Sequence, residues 1–129
     1  MAMQKKTEYL ERKKTELGIE FDLFLFPNNN DDGTLETMLE SCTSKQHAVI
    51  MECWNSFERC VTGKGHYTIP ANKSKIYVYL ECLHGITNSE KEKIKDPNRD
   101  FTLADKWTIE HVSNPNLSVL KTLLDKYLA

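Results

Sequence analysis

Acidic and amide side chains crowd residues 28–36, and they are the first candidates for chemistry in this sequence. Three asparagines at 28–30 precede Asp31 and Asp32, and Glu36 follows within one helical turn. Carboxylate and amide oxygens are the ligands that Mg²⁺ and Mn²⁺ prefer in proteins. The sequence therefore offers a hard-cation site formed by Asp31, Asp32 and Glu36, although its spacing is not that of an EF-hand loop.

The same stretch has a second explanation that needs no metal. Short polar side chains accept hydrogen bonds from free backbone N–H groups in turns and at the start of helices. A helical pattern begins at about Thr34, so Thr34, Gly33 or Asp32 would serve as its N-cap. From the residues alone, a metal site and a capped turn both remain open.

Lys73 and Lys75 are the next candidates, because they open a helical pattern after Pro70. They would face a phosphate or a metal-bound oxyanion, or they are simply the solvated start of a helix. The four histidines and four cysteines have no ligand-like spacing. The cysteines fall inside apolar helical patterns, which is typical of reduced thiols in a core.

Size and charge limit the class of protein. The 129 residues suffice for one domain with a modest core, and a formal net charge of −2 gives no bulk attraction to nucleic acid or membranes. No segment approaches the ~18 apolar residues of a membrane span. The charged first segment lacks the apolar region of a secretion signal. We therefore expect a cytoplasmic protein with no membrane partner.

Hydrophobic patterning predicts a mostly helical chain with one strong strand. The strand is Ile19–Phe26, "IEFDLFLF", whose second half is continuously apolar, as in a strand buried on both faces of a parallel sheet. Residues 85–104 are polar and aperiodic, and they predict a mobile excursion. Helices are expected at 3–17, 34–41, 44–62, 72–83 and from Pro115 onward. This order predicts an α/β fold whose partner strands are missing.

A buried strand with unpaired edges is a liability in a monomer. A second copy of the chain or another partner is therefore expected to cover the edge of Ile19–Phe26. This favours a helical interaction or structural module that self-associates, or pairs with a partner, through that edge.

Several segments together resemble an uncharacterised bacterial family related to the TOPRIM (topoisomerase–primase) domain and akin to the TOPRIM part of the OLD-type nucleases. The specific part is "FLFPNNNDDGTLETMLE", from Phe24 to Glu40, and "NKSKIYVYLECL" and "NPNLSVLKTLLDKYL" are weaker matches. The resemblance spans roughly residues 5–128. It implies a parallel α/β sheet with carboxylates that bind Mg²⁺ and assist phosphodiester chemistry on nucleic acid.

The resemblance also implies roles for individual residues. Gly33 and Glu36 match a Gly-x-x-Glu element, and Lys75, or less closely Lys73, matches a downstream lysine. Glu36 and Lys75 would then be the catalytic residues. The glutamate after the family's first strand and its DxD motif have no counterpart here, so only the C-terminal half of such a domain is matched.

The whole chain, 1–129, would then be one partial TOPRIM-like domain, either a truncated gene product or a shortened relative. Metal-ion catalysis needs several carboxylates that converge on one or two ions. We therefore expect the remnant of a Mg²⁺-dependent nucleic-acid enzyme that is not catalytically competent and binds Mg²⁺ or Mn²⁺ at most weakly. Its expected partners are nucleic acid, a second copy of the chain, or the missing N-terminal half.

Overall fold

The computed structural model describes residues 2–84, 86–93 and 104–128. These residues form α-helices joined by loops, and none of them lies in a β-strand. The helices are α1 Met3–Leu17, α2 Leu35–Ser41, α3 Ala48–Thr62, α4 Asn72–Leu83, α5 Asn88–Glu92 and α6 Pro115–Leu128, with 3₁₀ turns at Lys45–His47 and Ala104–Lys106. The predicted α/β class is therefore wrong, and the structure is mostly helical.

The longer helices agree well with their predicted bounds. Both ends of α1 and α4 lie where the periodicity predicts them, and α6 begins at Pro115. Gly18 ends α1 in the left-handed conformation, with φ of 63°, and its N–H donates to the Lys14 and Thr15 carbonyls. A residue without a Cβ adopts this conformation at little cost, which is why glycine commonly follows a helix.

The predicted strand Ile19–Phe26 has no regular secondary structure. A strand needs a neighbour that supplies backbone hydrogen bonds, and the described part of the chain contains only an isolated bridge, between Thr43 and Trp107. Strand propensity measures how well side chains fit a pleated, half-buried surface, so it does not create a strand where no sheet exists. The apolar run instead connects α1 to the asparagine-rich loop.

The chain divides into two compact units. The first comprises Met1–Ser41 and Ile109–Ala129, and the second comprises Cys42–Thr108. In the first unit α2 packs against α6, and in the second α3 packs against α4. That the chain is one domain stays a prediction. In the ranges that the structure describes, no helix is long and apolar enough to cross a membrane.

Part of the predicted mobile excursion is ordered as α5. The Thr87 hydroxyl accepts a hydrogen bond from the Glu90 N–H at 3.3 Å, and the Glu90 carboxylate accepts one from the Thr87 N–H at 3.1 Å. This reciprocal pair is a capping box, which satisfies two free amides at a helix start. The remainder of the prediction, at residues 85 and 94–103, lies outside the described residues.

Tyr79 forms the centre of the second unit. Its side chain is completely buried, and its ring centroid lies 5.7 Å from that of Trp107. The hydroxyl accepts a hydrogen bond from the Ser44 N–H at 3.0 Å and donates one to the Lys106 carbonyl. Burial raises the pKa of Tyr79, so the hydroxyl keeps the proton that it donates. One side chain thereby ties α4 to two separate loops.

Replacing Tyr79 with Phe should lower the free energy of unfolding by about 1–3 kcal/mol, because the Ser44 amide and the Lys106 carbonyl lose a buried partner. Urea unfolding followed by circular dichroism measures this change. Tyr67→Phe is the matched control, since Tyr67 is exposed and its substitution should change little. A loss for Tyr79→Phe no larger than for Tyr67→Phe would show that the hydroxyl does not anchor α4.

Candidate functional site

Asp31, Asp32 and Glu36, the predicted metal ligands, all lie in the first unit. Both aspartates are exposed on the loop before α2, and Glu36 is half-buried in the first turn of α2. The Asp32 carboxylate accepts a hydrogen bond from the Met3 N–H at the start of α1. No group of three or more His, Cys, Asp or Glu side chains within the described ranges is placed to hold a metal ion. The metal site stays a prediction of the sequence.

Two buried asparagines organise this loop. Asn28 and Asn116 are only 4% and 8% exposed, and Asn28 Nδ2 donates to Asn116 Oδ1 at 2.8 Å. Asn28 Nδ2 also donates to the Asp31 carboxylate at 2.8 Å, while Asn28 Oδ1 accepts from the N–H groups of Asn30 and Asp31 at 3.1 and 2.9 Å. The Asn28 side chain therefore closes the turn that the sequence offered as an alternative to a metal site.

Asn116 extends the network from the loop to α2. Its Nδ2 donates to Ser41 Oγ, in the last turn of α2, at 3.0 Å. Its backbone N–H donates to Asn114 Oδ1 at 3.0 Å, so Asn114 caps α6 just before Pro115, the first helical residue. Asn114 Nδ2 in turn donates to Ser41 Oγ at 3.2 Å. A continuous set of hydrogen bonds thus joins the loop, α2 and α6.

Gly33 lets the loop pass closely beside the start of α2. A Cβ at this position would lie 2.8 Å from Thr37 Oγ1 and 3.0 Å from Pro27 Cδ, closer than side chains normally approach. The same Thr37 hydroxyl accepts a hydrogen bond from the Thr34 N–H at 3.0 Å. A side chain inside the helix thus satisfies an amide at its start, which differs from the capping that the sequence predicts.

The two candidate lysines have different surroundings in the second unit. Lys75 is buried on α4, at 9% exposure, whereas Lys73 is exposed with its Nζ 5.4 Å from the centre of the Tyr77 ring. The explanation of both as a solvated helix start therefore applies only to Lys73. Glu36 and Lys75, the predicted catalytic residues, belong to different units.

Protein-family models, curated proteins and solved structures give no match to this chain. The TOPRIM-like resemblance therefore remains an expectation from the motif.

An apolar groove runs between α3 and α4 in the second unit. Its volume is about 350 Å³, and none of the residues that line it is charged. Val49 is 61% exposed and Phe57 is 45% exposed. The lining comprises Val49, Ile50, Cys53, Trp54 and Phe57 of α3 and Val78 and Cys82 of α4. An apolar groove that is open to water offers a binding surface to an apolar group of a partner or ligand.

Trp54 forms a fixed wall of the groove. Its Nε1 donates to the Glu58 carboxylate at 2.7 Å, and its ring centroid lies 5.6 Å from that of Phe57. Trp54 itself is buried. A buried indole whose N–H has a partner is rigid, and rigid aromatic side chains commonly anchor interfaces.

The exposure of the cysteines at this groove was not predicted from the sequence. All four are thiols that form no disulfide bond, but only Cys42 is buried, whereas Cys53, Cys60 and Cys82 are exposed. The expectation that all four lie in the core is therefore wrong for three of them. The signal in the sequence was a second apolar row on α3, Val49 with Cys53 and Cys60, beside the row formed by Ile50, Trp54, Phe57 and Val61. An apolar face wider than one neighbouring helix can cover indicates a further partner.

A charged cluster fastens the apolar connection of the first unit to α6. The Asp22 carboxylate accepts hydrogen bonds from Lys126 Nζ, at 2.6 Å, and from the Tyr127 hydroxyl. The hydrogen bond from Lys126, followed by that from Tyr127, lowers the pKa of Asp22. The Asp22 carboxylate in turn raises the pKa of both Lys126 and Tyr127. All three groups are solvent-exposed, so this is a surface clasp rather than a catalytic centre.

Asn116→Ala should lower the free energy of unfolding by about 1–3 kcal/mol, because the buried Asn28 Nδ2 loses one of its two hydrogen-bond acceptors. Urea unfolding measures the change, with the exposed Asn55→Ala as control. The double variant Asn28→Ala with Asn116→Ala should lose less stability than the sum of the two single losses, because both single changes remove the same hydrogen bond. Strictly additive losses would contradict a shared network.

The Asp22 clasp predicts a pH dependence with a definite sign. Because the pKa of Asp22 is lower in the folded protein than the ordinary value of 3.8, its stabilising contribution is present above that value. The contribution is lost as the pH falls through the lower, folded pKa. Carboxyl-carbon NMR titration should give a midpoint for Asp22 below the ordinary value, and Lys126→Gln should move it upward. An unchanged midpoint in Lys126→Gln would contradict the clasp.

Proposed function

We propose that this chain is a helical protein-interaction module that binds a partner helix in the groove between α3 and α4. The observation that carries the proposal is an apolar groove between two packed helices, beside the buried Trp54 and the exposed Phe57. Burying apolar surface is the dominant favourable contribution to most protein association. Because no charged residue lines the groove, it cannot pair with the charge of a substrate, but it can bury the apolar face of a helix.

The dimensions favour a helix as the occupant. The groove lining runs along α3 from Val49 to Phe57, which is about 12 Å or just over two helical turns, enough for one i to i+7 row of a second helix. An amphipathic helix presents apolar side chains at positions i, i+3, i+4 and i+7, and such a row fills a groove between two helices. Trp54 and Phe57 are the residues on which most of the binding free energy should depend.

The lining residues argue against catalysis in the groove. Among the described residues that line the groove, Cys53 and Cys82 are the only titratable ones, and none is a histidine or a carboxylate that could act as a base. The exposed free thiols of α3 and α4 also support a reducing location, and we propose the cytoplasm on that ground.

The TOPRIM-like remnant is a second proposal, and the motif from Phe24 to Glu40 is what supports it. In that case Asp31, Asp32 and Glu36 would hold a weakly bound Mg²⁺ or Mn²⁺ near nucleic acid. Asp31 would have to exchange its hydrogen bonds from Asn28 and Asn30 for metal contacts, which makes the site costly to form. We therefore place this proposal behind the interaction module.

Photo-crosslinking in cells tests the interaction module directly. Replacing Phe57 with benzoylphenylalanine puts an aromatic photoreactive group at the groove, and the same replacement of Asn55, an exposed residue at another angle of α3, is the matched control. We expect adducts from position 57 only, joined to a peptide from an amphipathic helix identified by tandem mass spectrometry.

A charge in the groove should abolish those adducts. Val78→Lys, added to the photoreactive residue at position 57, places an ammonium group against the apolar face of the partner helix. Adducts that persist in Val78→Lys, or equal yields from positions 55 and 57, would contradict the proposed function.

A further inference from the structure

We propose that the helix that occupies the groove is α3 of a second copy of this chain, packed antiparallel across a two-fold axis. This inference rests on the proposed function and names its partner. It is carried by the pattern of exposed side chains on α3, which is complementary to itself when the helix is reversed.

Four exposed side chains form one line along α3. They are Val49, Cys53, Ser56 and Cys60, and successive members are three or four residues apart, so they lie on one helical face. We call this line the α3 seam. None of its members is charged or large, so another helix can approach it closely along its whole length.

The side chains that flank the seam differ on its two sides. Ile50 and Phe57 flank it on the side of the groove, where they line the cavity with α4. Glu52 and Arg59, both exposed, flank it on the opposite side. In both pairs the members are seven residues apart, so each pair lies on one edge of the same helical face.

Reversal of the helix brings opposite charges together. In an antiparallel pair of identical helices, each flank lies against the same flank of the partner helix, and the two chains run in opposite directions. Glu52 then faces Arg59 of the second copy, and Arg59 faces Glu52 of the second copy. A two-fold axis near Ser56 relates the two ion pairs, as an isologous interface requires.

The same operation makes an apolar contact on the groove side. Ile50 faces Phe57 of the second copy, beside Val78 and Cys82, and the reciprocal contact forms across the axis. A parallel pair of helices would instead set Glu52 against the apolar flank, where its charge loses water without gaining a partner. The charge pattern therefore selects the antiparallel arrangement.

The expected dimer is weak and in exchange with the monomer. Standard stable interfaces bury at least roughly 1,200 Å² of total surface. We expect two α3 helices with part of each α4 to bury less than that. The interface falls in the class of transient complexes, so dimerisation should depend strongly on protein concentration.

Charge reversal tests the inference, with sedimentation velocity of the full chain under reducing conditions as the measurement. Glu52→Arg and Arg59→Glu should each weaken the dimer about tenfold, because each change sets like charges against each other twice. The double variant Glu52→Arg with Arg59→Glu should restore the wild-type affinity. An equimolar mixture of the two single variants should form heterodimers, since each then supplies the charge that the other lacks.

Glu8→Arg, at an exposed position of α1, changes the net charge by the same amount as Glu52→Arg and should leave dimerisation unchanged. A wild-type chain that stays monomeric at sub-millimolar concentration would overturn the inference, as would a double variant that does not recover. If the chain is monomeric but position 57 still crosslinks to a helix of another protein, the self-association is wrong and the interaction module stands. If no adduct forms at all, both are wrong.

Discussion

The hydroxyl of Tyr79 fixes the position of α4, and the groove beside α3 depends on that position. It lies in the interior between the Ser44 amide and the Lys106 carbonyl, and a buried hydroxyl that loses either partner is costly. Any rotation of α4 about its axis would break these bonds. With α4 held in this orientation, Ile76 and Leu80 point into the core, and Val78 and Cys82 remain on the wall of the groove. Because α4 is fixed in this orientation, it covers only part of the apolar face of α3.

The first unit uses the same device with different side chains. Its loop between the apolar connection and α2 is held by the buried pair Asn28 and Asn116 rather than by a large apolar cluster. Every buried side-chain N or O atom within the described ranges has a hydrogen-bonding partner. Buried polar groups that are fully satisfied fix one arrangement of the backbone, because any other arrangement leaves some of them unpaired. The structural role of these asparagines therefore suffices to explain the polar residues of the loop without a bound cation.

Local features of this fold could be predicted from sequence, whereas those that depend on distant partners could not. The periodicity of α1, α4 and α6 and the glycine after α1 are properties of neighbouring residues, and their helices form where predicted. The strand at Ile19–Phe26 fails because a strand requires a sheet, which the local pattern cannot supply. Asn28 and Asn116 are 88 positions apart in sequence, so the local pattern around one residue does not predict its hydrogen bond to the other. At the candidate site, the acidic residues are evident from the sequence, but the groups that donate hydrogen bonds to Asp31 and Asp32 are not.

The central claim is that α3 of a second copy covers the α3 seam in solution, and the reactivity of Cys53 tests it most directly. The alkylation rate of Cys53 by iodoacetamide should be measured by peptide mapping over a range of protein concentrations, with Asn55→Cys as the control thiol on α3. If the seam is covered, the rate constant at Cys53 falls as concentration rises, while that at position 55 stays constant. A rate constant at Cys53 that does not change up to the highest soluble concentration would contradict the claim.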